Sequence, residues 1–248
     1  MNVLLVGESW TVHETHMKGA DIFNMCKYED DCGHALADVF SSKQARVTYI
    51  PSHKVAEKFP KTLKDLQEFD VVILSDVGSN TFLLCPETFY RGMLSENKLE
   101  LIKEFVAQGG GLAMIGGYMS FSGIDNKARY AMTPLAEVLP VTMLNYDDRI
   151  ECPQGIKPVI LKPEHPVMKN VDPNGWEKFL GYNKISAKEE AVEIAKIQND
   201  TFIAAMNYGK GKSFAFASDC APHWARKEFM NWEGYGEFFT NMIEWLAE

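Results

Sequence analysis

The chain is predicted to be an α/β protein built on a mostly parallel sheet, and three observations carry that expectation. Short apolar runs recur at 2–7, 46–50, 70–76 and 112–115, each too short for a helix. They read as strands covered on both faces, as strands of a parallel sheet are. Stretches of helical period separate them, which is the rhythm of right-handed crossovers. The runs at 2–7, 70–76 and 112–115 lead into Gly7, Asp76 and Gly116, where a strand turns sharply at the carboxyl edge of the sheet. In open α/β sheets that edge is where ligands bind.

Taken in order, residues 2–7 form the first strand and deliver Glu8, Ser9 and Trp10 into a stretch that reads as a long loop. That loop holds His13, His16, Lys18, Asp21 and Tyr28. Ala35, Leu36, Val39 and Phe40 then give a helical stripe. Residues 46–50 are the second strand, stopped by Pro51, and 62–69 a short helix before the third strand at 70–76. Beyond it lie Gly78, Asn80 and Thr81. Leu99, Ile102, Phe105 and Val106 recur at helical spacing, with Ser95 placed to cap the start. Gly109 to Gly111 stop that helix, since glycine alone enters the left-handed region without a side-chain penalty. The strand 112–115 and the turn Gly116-Gly117 follow.

After Ser120 the rhythm changes. A short helical segment at 133–140 is bracketed by prolines, and 141–144 and 156–161 are strand candidates separated by the polar cluster Asn145 to Arg149. Residues 164–171 are turn-rich. The runs 191–197 and 202–207 flank Asn199-Asp200 as a hairpin, and a second hairpin turns at Gly209-Lys210-Gly211 into 213–217. The chain closes on a helix with the stripe Tyr235, Phe238, Phe239, Met242, Ile243 and Leu246, read as core or as a subunit contact. No repeat, low-complexity tract or linker interrupts residues 1–248, so one domain is expected.

With 46% hydrophobic residues among 248, the chain can bury a substantial core. A formal charge of −9 and the absence of any Lys or Arg run argue against nucleic acid and anionic membranes as partners. Cys26, Cys32, Cys85, Cys152 and Cys220 are an odd count at irregular spacing, which suits free thiols in a reducing compartment. Glu8 interrupts the first apolar run and no basic region precedes it, so neither a signal peptide nor a membrane span is expected and the cytoplasm is the default. Neither a Gly-x-x-x-x-Gly-Lys-Ser/Thr loop nor a first-strand Gly-x-Gly-x-x-Gly occurs, and no cofactor is expected.

Several stretches, in order, resemble the class I glutamine amidotransferase-like superfamily, specifically its GATase1-like branch. They are Gly7-Glu-Ser-Trp10, Met17-Lys-Gly-Ala-Asp21, Leu74-Ser-Asp-Val-Gly-Ser-Asn-Thr81 and Gly109-Gly-Gly-Leu-Ala-Met-Ile-Gly-Gly-Tyr-Met-Ser-Phe121. Later come Leu139-Pro-Val141, Asp147-Asp-Arg149, His165-Pro166 and Ala217-Ser-Asp-Cys-Ala-Pro-His-Trp224. The resemblance implies a flavodoxin-like, mostly parallel sheet with helices on both faces and a late antiparallel extension. Trehalose-utilisation-type proteins are more distantly similar. In the working amidotransferases a Gly-x-Cys-x-Gly elbow carries the nucleophile. By the resemblance Gly116, give or take one residue, stands where that cysteine would, and Gly117, Tyr118 and Met119 offer no replacement. Glycine cannot form an acyl intermediate, so conventional glutamine hydrolysis is not expected.

The candidate site gathers residues that different strands deliver to one edge: Glu8, Ser9, Asp76, Asn80, Gly116, Gly117, Tyr118 and Ser120 as ligand-binding groups, Asp219 and His223 as candidate catalytic groups. His223 would be the base and Asp219 its orienter, with the turn amides of Gly116 and Gly117 binding an anion or oxyanion. Against this stands the plainer reading, in which the Asp and Asn residues cap helices and the imidazole packs in a turn. Cys85 and Cys220 are the thiols nearest the edge, Cys220 within reach of a surrogate dyad with His223. Asp147 to Arg149 either close over the pocket or form a local ion pair.

Three functions follow. The first is binding or hydrolysis of a small polar metabolite at the sheet edge, without a cysteine nucleophile. The second is a non-catalytic scaffold or sensor acting as a homo-oligomer, with Trp232 and Tyr235 at its interface. The third is a metal-dependent hydrolase using His13 and His16, although their spacing lacks the His-Glu-x-x-His pattern.

Overall fold

The computed structural model describes residues 1–30, 33–42 and 45–248. Its main sheet has ten strands, parallel in one half and antiparallel in the other. The parallel half takes β1 (Asn2–Gly7), β4 (Arg46–Pro51), β5 (Val71–Ser75) and β6 (Gly111–Ile115), in the order β4-β1-β5-β6. Val3 to Val6, Val71 to Leu74 and Leu112 to Ile115 are sealed from solvent, which is why each run is apolar without alternation.

From β1 the chain moves to one side to form β4, then crosses back to the other side for β5 and β6. Right-handed crossovers in opposite directions put their helices on opposite faces of the sheet. The crossover from β1 to β4 carries the Gly33–Ser42 helix, whose Leu36 and Phe40 are buried, and that from β5 to β6 the Lys98–Ala107 helix. The switch in direction falls between β1 and β5.

The antiparallel half begins with β14 (Gly211–Phe216), which lies parallel to β6 on one side and antiparallel to β13 (Asp200–Tyr208) on the other. Then come β11 (Ile185–Ala187) and β7 (Val141–Met143), while β12 (Val192–Ile197) pairs with β13 and β9 (Val159–Ile160) with β12. The α/β fold with a late antiparallel extension is therefore as expected. A separate pair joins β8 (Arg149–Ile156) to β10 (Phe179–Asn183), neither foreseen as a strand at these bounds.

Four other expectations are corrected. The stretch after Glu8 is not a loop but a hairpin of β2 (Ser9–Lys18) and β3 (Asp21–Asp30), turning at Gly19-Ala20. Neither face of it is buried, so its sequence shows no alternation. The cap of the Lys98–Ala107 helix is Asn97, whose Oδ1 accepts from the amides of Leu99 and Glu100; Ser95 hydrogen-bonds Cys85 and Thr88 instead. Of the three glycines after that helix only Gly109 has positive φ, and Gly111 is already in β6. Tyr235 and the rest of the closing stripe on Glu233–Ala247 are buried core, and Trp232 packs on Trp176 with ring centres 5.2 Å apart. Tyr235 is therefore closed to an interface, and Trp232 is half-buried against the same core.

Candidate functional site

Register sets the site. Gly7 pairs with Ser75, Ser75 with Ile115, and Ile115 with Phe216, so four strand ends stand abreast. The residues that leave them, Glu8, Asp76, Gly116 and Ala217, form one row at the carboxyl edge, across the switch point where ligands collect in such sheets. Glu8 and Asp76 both adopt left-handed backbone, with φ of 46° and 44°. Side chains other than glycine enter that region at a cost of about 1 kcal/mol or more, so both turns hold strain at the same edge.

The centre is Gly117, with φ of 143°. A Cβ placed there would lie 2.6 Å from Asp76 Oδ1 and 2.7 Å from Asp219 Oδ1. Two carboxylates thus converge over a bare backbone. Asp76 Oδ1 accepts from the Met119 amide at 2.6 Å, and Asp219 Oδ2 accepts from the Trp224 amide at 3.0 Å. His223 Nδ1 sits 2.9 Å from Asp219 Oδ2, and its side chain is 42% exposed, so the imidazole meets solvent while its carboxylate does not. Its ring packs edge-on against Tyr118, whose hydroxyl donates to Glu151 Oε1 at 3.0 Å. Trp224 Nε1 donates to the other oxygen of Glu151, and the Arg149 guanidinium lies 4.9 Å from the Tyr118 ring centre.

Glu8 is buried beneath this pair, hydrogen-bonded to Ser75 Oγ, with Cys220 Sγ at 3.6 Å. Burial first, then the charges of Asp76 and Asp219, lift its carboxyl well above the usual range. Burial also raises Asp219, against the lowering pull of His223. His223 in turn is more basic than usual: burial opposes this, but the hydrogen bond and charge of Asp219, with Glu151 and Asp76, outweigh it. Such a buried carboxylate and half-exposed imidazole can hold a proton and pass it on near neutral pH.

The structure thus brings together Glu8, Asp76, Gly116, Gly117, Tyr118, Asp219 and His223. Ser9, Asp76, Gly78 and Met119 also border a cavity of about 160 Å³, with Trp10 and Thr11 on its wall. A larger cavity of about 280 Å³, lined by Cys85 and Lys98 among others, contains none of these carboxylates; Asp76 alone of them borders the smaller one. Asn80 is exposed on the Asn80–Leu83 helical turn and does not line the edge cavity. Ser120 is buried and spans the turn, donating to the Ile115 carbonyl and accepting from the Asp76 amide, so it is a brace.

Three chemical expectations are overturned. The turn amides are not vacant for an oxyanion, because Gly116 N–H donates to the Phe216 carbonyl and Gly117 N–H to Asn183 Oδ1. Cys220 does not pair with His223: its thiol lies against Ser75 and Glu8, and burial with the neighbouring carboxylates raises it well above an ordinary thiol. His13 and His16 are three residues apart on one strand and so point to opposite faces, where they cannot share an ion. Among the described residues no group of three or more His, Cys, Asp or Glu is placed to hold a metal. Cys32 lies outside the described residues.

Sequence reasoning missed the supports. Asn183, at the end of β10, donates from Nδ2 to the Gly117 carbonyl and to Asp148 Oδ1. Asp148 is buried and accepts from the amides of Ser122 and Gly123 at 2.9 Å each. Asp147 pairs locally with Arg149 at 2.8 Å, as the plainer of its two readings had it. The only sequence signal for Asn183 is an amide closing a strand that is otherwise mostly apolar.

A family model described as "Putative glutamine amidotransferase" matches residues 2–248. The chain belongs to this family. It is similar, at 44% identity and a TM-score of 0.95, to the structure of a cytoplasmic protein of Salmonella typhimurium, over 99% of each chain. A second cytoplasmic protein, from Salmonella typhimurium LT2, is also 44% identical, with a TM-score of 0.94 over 100% of both chains. A ThuA-like protein of Bacteroides uniformis shares the fold alone, at 11% identity and a TM-score of 0.56, over 99% of this chain and 90% of that one. None of the curated protein sequences matches the chain. No helix among the described residues is long and apolar enough to cross a membrane.

Proposed function

We propose that the chain binds and hydrolyses a small polar metabolite at the carboxyl edge of its sheet, by proton transfer rather than through a covalent thioester. The observation that carries this reading is the convergence of Asp76 and Asp219 over Gly117, with His223 held on Asp219. On this reading the elbow cysteine of the working amidotransferases has no counterpart in the chain. A Cβ on Gly116 would lie 2.7 Å from the Ala217 carbonyl oxygen, and one on Gly117 would strike both carboxylates. Neither position accommodates a nucleophilic side chain. Asp219 fixes Nδ1 of the imidazole and leaves Nε2 to take a proton from an attacking water, whose oxygen bonds to the substrate's electrophilic carbon; the imidazolium then gives that proton to the leaving group as its bond to the same carbon breaks. Asp76 and Tyr118 flank the space where a polar group would sit.

A thermal-shift screen against amides, sugars and hydroxy acids identifies the ligand, and turnover of the hit is then followed directly. His223→Ala should abolish turnover while the melting temperature stays nearly constant. Release of ammonia from glutamine by the wild-type chain, or unfolding of His223→Ala, would overturn the proposal.

A further inference from the structure

The β2–β3 hairpin is held by its own ladder, by exposed ion pairs of Lys27 with Glu14 and Glu29 and by its root, with no face buried against the body. Its ten residue pairs leave the body at Ser9, and its main anchorage is the Ser52–Lys54 turn. There Ser9 Oγ accepts from the Ser52 amide and the Tyr28 ring stacks on His53 at 4.2 Å. A two-stranded ribbon without a packed face is marginal in water, and its two open edges invite pairing.

Each face sets exposed apolar side chains among polar ones, with Glu14, Lys18, Lys27 and Glu29 on the face of Trp10 and Thr11, His13, Thr15 and Asn24 on the face of Met17. Trp10, Phe23 and Met25 project to one side and Met17, Ile22 and Tyr28 to the other, as the register requires. Each is between 37% and 73% exposed. Together they present on the order of 600 Å² of apolar surface, taking about 200 Å² for each whole side chain. A stable interface removes about 800 Å² from each partner, a little over half of it apolar, so this one arm supplies the apolar share.

We infer that the hairpin is an exchange arm that embraces a second copy of this chain. A flat partner would cover one face and leave the other wet. A reciprocal exchange about a two-fold axis covers both, one on the partner's body and the other on the partner's own arm, and it satisfies the open edges too. Because the arm lacks stability of its own, its partner must be present whenever the chain is, and another copy of the chain meets that condition. Ser9, Trp10 and Thr11 at its root also wall the edge cavity, so assembly and the candidate site share residues.

Light scattering behind a sizing column, on the purified full chain at micromolar concentration, tests this. The wild type should run at a multiple of the single-chain mass. The double variants Ile22→Asp with Phe23→Asp, and Met17→Glu with Met25→Glu, each place a charge on both faces and should run at the single-chain mass with unchanged far-ultraviolet circular dichroism. Hydrogen exchange on the wild type should show outward-pointing amides of both strands protected. A single-chain wild-type mass, variants that keep the wild-type mass, or unprotected outward amides would each overturn the inference.

Discussion

Asn183 grips Gly117 from both sides: its Oδ1 accepts from the Gly117 amide at 2.9 Å and its Nδ2 donates to the Gly117 carbonyl at 3.1 Å. The separate β8–β10 pair thereby fixes the turn that follows β6. Both bonds are buried, where an abandoned peptide group costs about 1–3 kcal/mol. Asn183→Leu should lower the unfolding free energy by about 3 kcal/mol in urea titration, whereas an exposed amide such as Asn80→Leu should change it by less than about 0.5 kcal/mol.

The turn itself tolerates no side chain. Gly117→Ala meets the carboxylates of Asp76 and Asp219 and a φ of 143°, and a loss on the order of 3 kcal/mol is expected. Gly117→Cys, which places a thiol on the turn after β6, should be as unstable and release no ammonia from glutamine. A stable, glutamine-hydrolysing Gly117→Cys would show that the carboxylates move aside.

Asp148 gives the fold a pH signature. Burial lifts its carboxyl from 3.8 to about 6. The folded state therefore holds this proton more tightly than the unfolded one. The stabilisation is full below the unfolded value and is lost as pH rises through the folded one. The displacement corresponds to about 3 kcal/mol, spread between about pH 4 and pH 6. Asp148→Asn should be less stable in absolute terms, having one acceptor oxygen for the Ser122 and Gly123 amides and Asn183 Nδ2, but should lack that slope in urea titrations across the interval.

The Asp219–His223 pair predicts a second pH dependence, in function. An imidazole held more basic than 6.5 accepts protons as a base only above its raised value. Turnover should rise with pH to a midpoint above 6.5, and Asp219→Asn should move that midpoint down. An unmoved midpoint would separate His223 from the chemistry.

Thiol chemistry provides a further check. Cys26 is exposed on β3, and Cys220 is sealed and held as a thiol. Iodoacetamide followed by peptide mass mapping should label Cys220 only after unfolding, and Cys26, on a hairpin face that the inferred exchange covers, readily only in the single-chain variants.

The parallel strands were legible because burial on both faces leaves uninterrupted apolar runs, and the residues at their ends followed from strand order alone. That reasoning brought Glu8, Asp76, Asp219 and His223 to one edge. It failed wherever a partner is distant in sequence. Asn183 and Asp148 meet Gly117 and Ser122 through β10 and the loop before β8, contacts for which local pattern carries no trace. It failed also at the hairpin, whose two solvent-facing sides erase the period that marks a strand. Ser95 lost the cap to Asn97 because both lie within one turn of the helix start and only geometry separates them.

The place of β14 beside β6 has a consequence during synthesis. After Ile115 leaves the ribosome, the far edge of β6 stays bare until Gly211 to Phe216 arrive to pair with it. At ~5–20 residues per second that delay lasts several seconds. Through those seconds the nascent chain carries an open, fully apolar strand, and this is the interval in which a chaperone would matter most to its yield.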